Sequence, residues 1–412
     1  MSHRVVITGM GTLNPVGHTV KETWEAITHG VSGVAPITLF DPKEFLVKIA
    51  CEVKNFDPGK YMDIKEARRR DRFEQFACAA SREALETSGL QITDANAERV
   101  AVIVSSGVGG IRSLEENVHT LVESNPRRIS PFLIPMLMPN GASGLIAIDT
   151  GAKGPTFAVI SACASGSDGI GSAWQMIRSG LVDAAIAGAS EASICEIGVG
   201  SFDRLGAMSR RNEDYSLTPQ PFDKDRDGLV MGEGAAIIVL ESLEHAQARG
   251  AEVLAEIVGY AATADAFHVT APAEDGDGGA RAMQNAMQVA GLNPEDVDYI
   301  SAHGTGTSLN DASETAAVKR ALGPQAYKVP ISSTKSMTGH MMSATGALEA
   351  ILCVQAIRTN TIPPTIHYQT PDPVCDLDYV PNVAREKRVD VTLSNAFGFG
   401  GHNSVLAIKR FS

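Results

Sequence analysis

The sequence has no closely paired cysteines, no long apolar run and no excess of positive charge, and each absence removes a class of protein. Its six cysteines, Cys51, Cys78, Cys163, Cys195, Cys353 and Cys375, are widely separated and form no CxxC pair. The pattern therefore supplies neither a disulfide framework nor a zinc site, and free thiols are expected. Apolar runs such as Val5 to Ile7 and Ala235 to Leu240 are far too short to span a bilayer, and the first residues lack the apolar stretch of a signal peptide. The expectation is a cytoplasmic protein with no membrane contact. A formal net charge of −13 argues against nucleic acid and anionic membranes, both of which require a cationic surface. An acidic partner would need a local basic patch. The glycine-rich end Ser105 to Gly110 lacks both GxGxxG spacing and the Lys-Ser/Thr of a P-loop, so it resembles a phosphate loop only weakly.

With 412 residues, 44% of them apolar, the chain can be two domains or one large duplicated fold. The segment Arg4 to Gly11 reads as a short β-branched strand running into a glycine turn. A helix follows to about His29, with Thr19 and Glu22 spaced as a capping box. Val100 to Val104 is a buried strand ending in glycines, and Val297 to Thr307 repeats that grammar. Thr156 to Trp174, a strand, a turn and a helix, is matched by Val329 to Arg358. Asp183 to Ser190 finds its counterpart in Val389 to Asn395. Three units in one order indicate an internal duplication. Strands alternating with helices imply parallel sheets covered on both faces, with reactive groups at the strand ends where the glycine turns lie.

The reactive candidates sit on those turns. Ile170, Ala173, Trp174 and Ile177 recur at helical spacing, so a helix begins just after Cys163. Unpaired N–H groups and the positive dipole end then favour the thiolate. On local evidence alone a small buried cysteine is the plainer reading. Two distant histidines shift the balance, because His303 and His340 also sit on glycine turns, and a pseudo-twofold would bring all three to one cavity. The histidines lack HxxxH spacing, so no metal is expected. The helix from Ser343 to Arg358 is apolar on most faces, so Glu349 within it needs a partner, and Lys335 is the candidate. A cation at Lys335 would keep both imidazoles neutral, with Nε2–H groups free to donate. The loop Asn395 to Asn403 is rich in glycine, which lets backbone N–H groups turn into a cavity as oxyanion donors. The basic run Lys65 to Arg72 clusters at the start of a helix whose apolar face holds Phe73, Phe76, Ala77 and Ala80. A solvated face is its plainer reading.

Together these residues resemble the β-ketoacyl-acyl-carrier-protein synthases over essentially the whole chain. Cys163-Ala-Ser-Gly resembles the family's nucleophile motif. Ala302 to Thr307 and Lys335 to His340 resemble its two histidine motifs, and Asn395 to Asn403 its terminal glycine loop. Pro221 to Ala235 adds a further signature. His303 lies 140 residues after Cys163 and His340 lies 37 after His303, separations that look like the long-chain elongating synthase II type. Gln220, Asn310 and His402 depart from the usual residues at their positions.

The resemblance implies a thiolase-like α/β fold, internally duplicated in five layers α-β-α-β-α, with halves 1–250 and 251–412. It also implies a homodimer and a two-stage Claisen condensation without a cofactor, the phosphopantetheine arriving on acyl carrier protein. Cys163 would take the acyl group, with the N–H groups of Cys163 and Phe399 holding the oxyanion. His303 and His340 would stabilise the malonyl enolate, organised by Lys335 and Glu349. Thr305 and Thr307 would bond the phosphopantetheine arm. Val108 and Phe202 would line the acyl pocket, and Lys65, Arg68, Arg69, Arg127 and Arg128 would dock the carrier protein. Thiolase, the nearest rival, expects a second cysteine near the terminal glycine loop, where Phe399 stands here. A synthase III would replace His340 by Asn. A non-catalytic chain-length partner would lack Cys163. A specialised polyketide or lipid pathway shares the same chemistry and stays open.

Overall fold

The computed structural model describes residues 2–412. Ten strands form one continuous sheet: β1 Val5–Leu13, β2 Val100–Ser105, β3 Thr156–Phe157, β4 Ala184–Glu191, β5 Gly234–Ser242, β6 Ala255–Ala264, β7 Tyr299–Ser301, β8 Ile331–Ser332, β9 Val391–Gly398 and β10 His402–Lys409. Their spatial order is β8-β7-β9-β10-β6-β1-β5-β4-β2-β3. Reading outward from the centre, β1-β5-β4-β2-β3 and β6-β10-β9-β7-β8 follow one order. This pairs β2 with β7, β3 with β8 and β4 with β9, the three correspondences expected from the sequence. The sheet is mixed, however, where the sequence reading anticipated parallel strands. β2 runs parallel to β3 and β4, but β5 is antiparallel to both β4 and β1. The halves join antiparallel through Val5 to Ile7 opposite Ala255 to Ile257.

Nine longer helices cover and divide this sheet: α1 Val20–Thr28, α2 Arg72–Ser88, α3 Ile111–Glu123, α4 Gly141–Thr150, α5 Ser165–Arg178, α6 Glu196–Arg204, α7 Asp277–Ala290, α8 Ser308–Leu322 and α9 Ser343–Thr359. α2 and α4 pack on the outer face of the first half, α7 with α8 on that of the second. α5 and α9 lie between the half-sheets, touching strands of both. The result is five layers, α-β-α-β-α, the thiolase-like arrangement. The central core holds Ile170, Trp174 and Ile177 from α5 and Leu348, Ile351 and Val354 from α9, all nearly or fully buried. No helix among the described residues is long and apolar enough to cross a membrane.

Local signals explain the helix starts. Asp71 caps α2 in a reciprocal box with Glu74, and Phe73, Phe76, Ala77 and Ala80 are buried beneath it. At α1 only half of the expected box forms: Thr19 Oγ1 accepts the Glu22 amide, while the Glu22 carboxylate takes the amide of His18, not of Thr19. α5 and α9 cross closely, each presenting a glycine to the other. A Cβ on Gly166 would stand 2.5 Å from the Ser343 carbonyl oxygen, and one on Gly346 would overlap Ser167 Oγ.

This crossing yields a stability prediction. Gly166→Ala forces a methyl into backbone that cannot rotate away, and lowers the unfolding free energy by about 1 to 3 kcal/mol in denaturant titration. Gly144→Ala, whose added Cβ meets nothing within 4 Å, raises it by up to about 1 kcal/mol. Equal effects at the two positions would contradict the close crossing.

Candidate active site

The ends of α5 and α9 nearest each other carry the reactive groups. A 3-10 turn, Ala162–Ala164, places Cys163 directly before α5. Lys335 to Thr338 form a single helical turn, and His340 follows Gly339, whose φ of +66° swings the chain back toward α9. His340 Nε2 lies 3.1 Å from Cys163 Sγ, and its Nδ1 lies 3.2 Å from Thr345 Oγ1. The ring of His303 stands edge-on to that of His340, with centroids 5.4 Å apart. Cys163, His303 and His340 all line a cavity of about 210 Å³ that also takes in Thr305, Thr307 and Phe399. The Thr305 and Thr307 hydroxyls are 2.9 Å apart.

The electrostatics differ from the sequence expectation at the cysteine. Cys163 is 8% exposed, and burial pushes its thiol up to about 11 in spite of the helix end. Lys335 and the N–H groups of Phe399 and of Cys163 itself pull the other way without prevailing. Loss of hydration thus outweighs the groups that favour the thiolate, and the resting group is a thiol. Both imidazoles are pushed well below their ordinary value, so they are neutral near pH 7. Burial is the larger cause, and the Lys335 ammonium adds to it. Lys335 Nζ donates to Glu349 Oε1 at 2.6 Å, with both side chains essentially inaccessible. Burial raises the Glu349 carboxyl and the ammonium opposes it.

Other candidates are more dispersed. The ring of Phe202, on α6, stacks on that of Phe399 with centroids 6.2 Å apart, and both border the cavity. Val108 does not line that cavity; it is 38% exposed, and its amide lies 3.4 Å from Glu191 Oε1. Lys65, Arg68, Arg69, Arg127 and Arg128 are all exposed. Arg69 pairs with Glu66 and covers the Phe132 ring at 4.9 Å. Arg70 and Arg72, from the same run, instead turn inward to Asp149 and Glu233. Gln220 donates to the His367 carbonyl, Asn310 borders the cavity, and His402 is exposed beside the glycine loop.

Buried carboxylates that sequence reasoning missed hold the turns. Glu314 on α8 accepts the amides of His303 and Gly304 at 2.8 and 2.7 Å. Glu191 accepts the Gly107 amide and the Ser343 and Ser106 hydroxyls. Neither has a sequence signal, because each acceptor and its donors are brought together only by tertiary packing.

Residues 2–246 match the family described as β-ketoacyl synthase, N-terminal domain, and residues 254–369 match its C-terminal domain. The chain belongs to the β-ketoacyl synthase family. Its chemistry is therefore that of a condensing acyltransferase. Curated 3-oxoacyl-[acyl-carrier-protein] synthase 2 proteins from Staphylococcus aureus and Synechocystis are 50% and 48% identical to it, each alignment covering 99% of this chain and 98% of the relative. A type II polyketide synthase ketosynthase, solved in complex with its acyl-carrier protein, superimposes with a TM-score of 0.93 at 35% identity over the full length of both chains.

The raised thiol gives a pH prediction. Below its pKa the thiolate fraction grows tenfold per pH unit, so iodoacetamide labelling of Cys163 should accelerate about a hundredfold from pH 7 to 9 with no plateau. Peptide mapping of labelled protein checks it. A plateau near pH 7 would show that the helix end does govern the thiol.

Proposed function

We propose that this β-ketoacyl synthase elongates fatty acyl chains by two carbons, with acyl carrier protein as substrate carrier and Cys163, His303 and His340 as its catalytic residues. The observation that carries the reading is the 3.1 Å approach of His340 Nε2 to Cys163 Sγ, with His303 edge-on beside it. In the first stage the thiol proton passes to His340 Nε2, and the sulfur attacks the acyl thioester. The Cys163 and Phe399 N–H groups receive the oxyanion. The phosphopantetheine thiolate leaves and takes the proton from His340. In the second stage malonyl-carrier protein loses carbon dioxide, and the electron pair forms an enolate whose oxygen accepts from Nε2–H of both histidines. The enolate carbon then attacks the acyl carbonyl, and the Cys163 sulfur leaves as a thiolate that takes up a proton from water to restore the resting thiol.

These stages ask opposite things of His340 Nε2, first to accept and then to donate. The Thr345 hydroxyl at Nδ1 serves both tautomers, because a hydroxyl accepts from Nδ1–H or donates to bare Nδ1. Neutral imidazoles suit both roles. Lys335 and Glu349 fix the local charge, and Thr305 and Thr307 present hydroxyls to the amides of the phosphopantetheine arm.

The chain acts in this reading as a cytoplasmic homodimer of duplicated subunits, with halves 1–250 and 251–412. Val108 then meets the distal acyl pocket through the second subunit, while Phe202 bounds the near end. Fatty acyl elongation is favoured over a specialised polyketide pathway by the 48–50% identity to the synthase 2 relatives against 35% to the polyketide ketosynthase. Cys163 disfavours a non-catalytic chain-length role.

Incubation with acyl-carrier protein followed by intact mass measurement should show one acyl group on Cys163, and malonyl-carrier protein should then release a 3-oxoacyl product. His303→Ala or His340→Ala removes an enolate donor, a loss of about 3 to 4 kcal/mol, and should slow malonyl decarboxylation by roughly two to three orders of magnitude. Unchanged decarboxylation in either variant refutes the assignment.

Docking gives a second test. Acyl carrier proteins are acidic, so the patch of Lys65, Arg68, Arg69, Arg127 and Arg128 must overcome the net repulsion. Arg68→Glu with Arg127→Glu should raise KM for carrier-protein substrates by roughly tenfold and flatten its salt dependence. Turnover of a small acyl thioester should be unaffected; an equal loss on both substrates contradicts the docking site.

A further inference from the structure

The nucleophile stands on a turn that its own residues do not favour. Ala162 has a φ of +52°, in the left-handed region that disfavours any residue with a Cβ. The neighbouring structure must therefore impose the conformation, and the preceding residue, Ser161, is held at every polar atom. Its amide donates to Ser165 Oγ at 2.9 Å, and its carbonyl accepts from the Ala164 amide at 3.1 Å. Its hydroxyl donates to Asp168 Oδ2 at 2.5 Å. The other oxygen of Asp168 accepts from the Tyr260 hydroxyl at 2.9 Å.

Asp168 lies in the first turn of α5 and is 7% exposed, a position where the helix dipole favours its charge. Tyr260 belongs to β6, in the other half of the sheet. Its ring lies against Gly171, where a Cβ would overlap it. Trp174 Nε1, one turn further along α5, donates to the Ile257 carbonyl of the same strand at 2.7 Å. From the opposite side Gly398 closes on the turn: a Cβ there would stand 2.9 Å from the Ser161 oxygen and 3.0 Å from the Cys163 nitrogen. The peptide that carries the Cys163 N–H is thus gripped by α5, β6 and β9 together.

We propose that Asp168 is a positioning residue for the nucleophile: held by Tyr260 and holding the Ser161 hydroxyl, it fixes the turn that presents the Cys163 sulfur and N–H to the acyl thioester. It touches no reacting atom. The inference rests on the condensing reaction proposed above and divides it, since Asp168 acts on acyl transfer and not on enolate formation at the histidines.

The test uses Asp168→Asn, which keeps the shape but exchanges one acceptor for a donor, with Tyr260→Phe and Ser161→Ala, which each remove a single hydroxyl. Four quantities are measured on the full-length enzyme: Cys163 acylation by acyl-carrier protein in a single turnover, the KM for that carrier protein, decarboxylation of malonyl-carrier protein, and the thermal midpoint. Acylation should fall by about tenfold or more in Asp168→Asn and by a few-fold in the other two, with KM for the carrier protein unchanged. Decarboxylation should stay within about twofold of the parent. Unchanged acylation in a folded Asp168→Asn protein, or a parallel fall in both activities, overturns the proposal. If Asp168→Asn melts at room temperature, Tyr260→Phe and Ser161→Ala decide by the same criteria. A parent protein that shows neither activity overturns the condensing reading instead.

Discussion

Everything at the cavity depends on how closely α5 and α9 approach where they start. With Gly166 against the Ser343 carbonyl and Gly346 against Ser167 Oγ, the two helices meet glycine to serine between the half-sheets. That contact brings a cysteine at position 163 within 3.1 Å of a histidine at position 340. It arises from the duplication: each half supplies one central helix, and two copies of one strand order place the helix beginnings side by side. A side chain at either glycine would separate Cys163 from His340.

The second constraint is dryness. Burying these helix ends removes water from Cys163, His303, His340, Lys335 and Glu349 together. The cost is largest for ions, so the histidines stay neutral and the cysteine stays protonated, while the one cation finds the one carboxylate beside it at 2.6 Å. Glu314 takes two backbone amides at the His303 turn. A preorganised set of neutral donors in a dry site is what a developing oxyanion or enolate needs, because the dipoles need not reorient as charge appears.

Much of this was legible in the sequence, and the remainder was hidden for identifiable reasons. The duplication could be read because strand, glycine turn and helix recur in one order, and Lys335 was matched to Glu349 because a carboxylate on an apolar helix demands a partner. The mixed sheet was not legible, since buried antiparallel strands such as β5 carry the same continuous apolar run as parallel ones. The state of the Cys163 thiol was misjudged because helix polarity is visible in sequence and depth of burial is not. Glu191 and Glu314 escaped notice because their donors are brought to them only by the folded chain. Val108 lies outside the cavity, which no pattern of residues along the chain could reveal.

In the proposed reaction the cysteine carries acyl transfer and the histidines carry enolate formation. Cys163→Gln tests it most directly, because it removes the nucleophile and leaves His303, His340 and Lys335 in place. Decarboxylation of malonyl-carrier protein and formation of 3-oxoacyl product should be followed in the same sample. Carbon dioxide should continue to be released with no condensation product. Loss of both activities in a folded variant would contradict it.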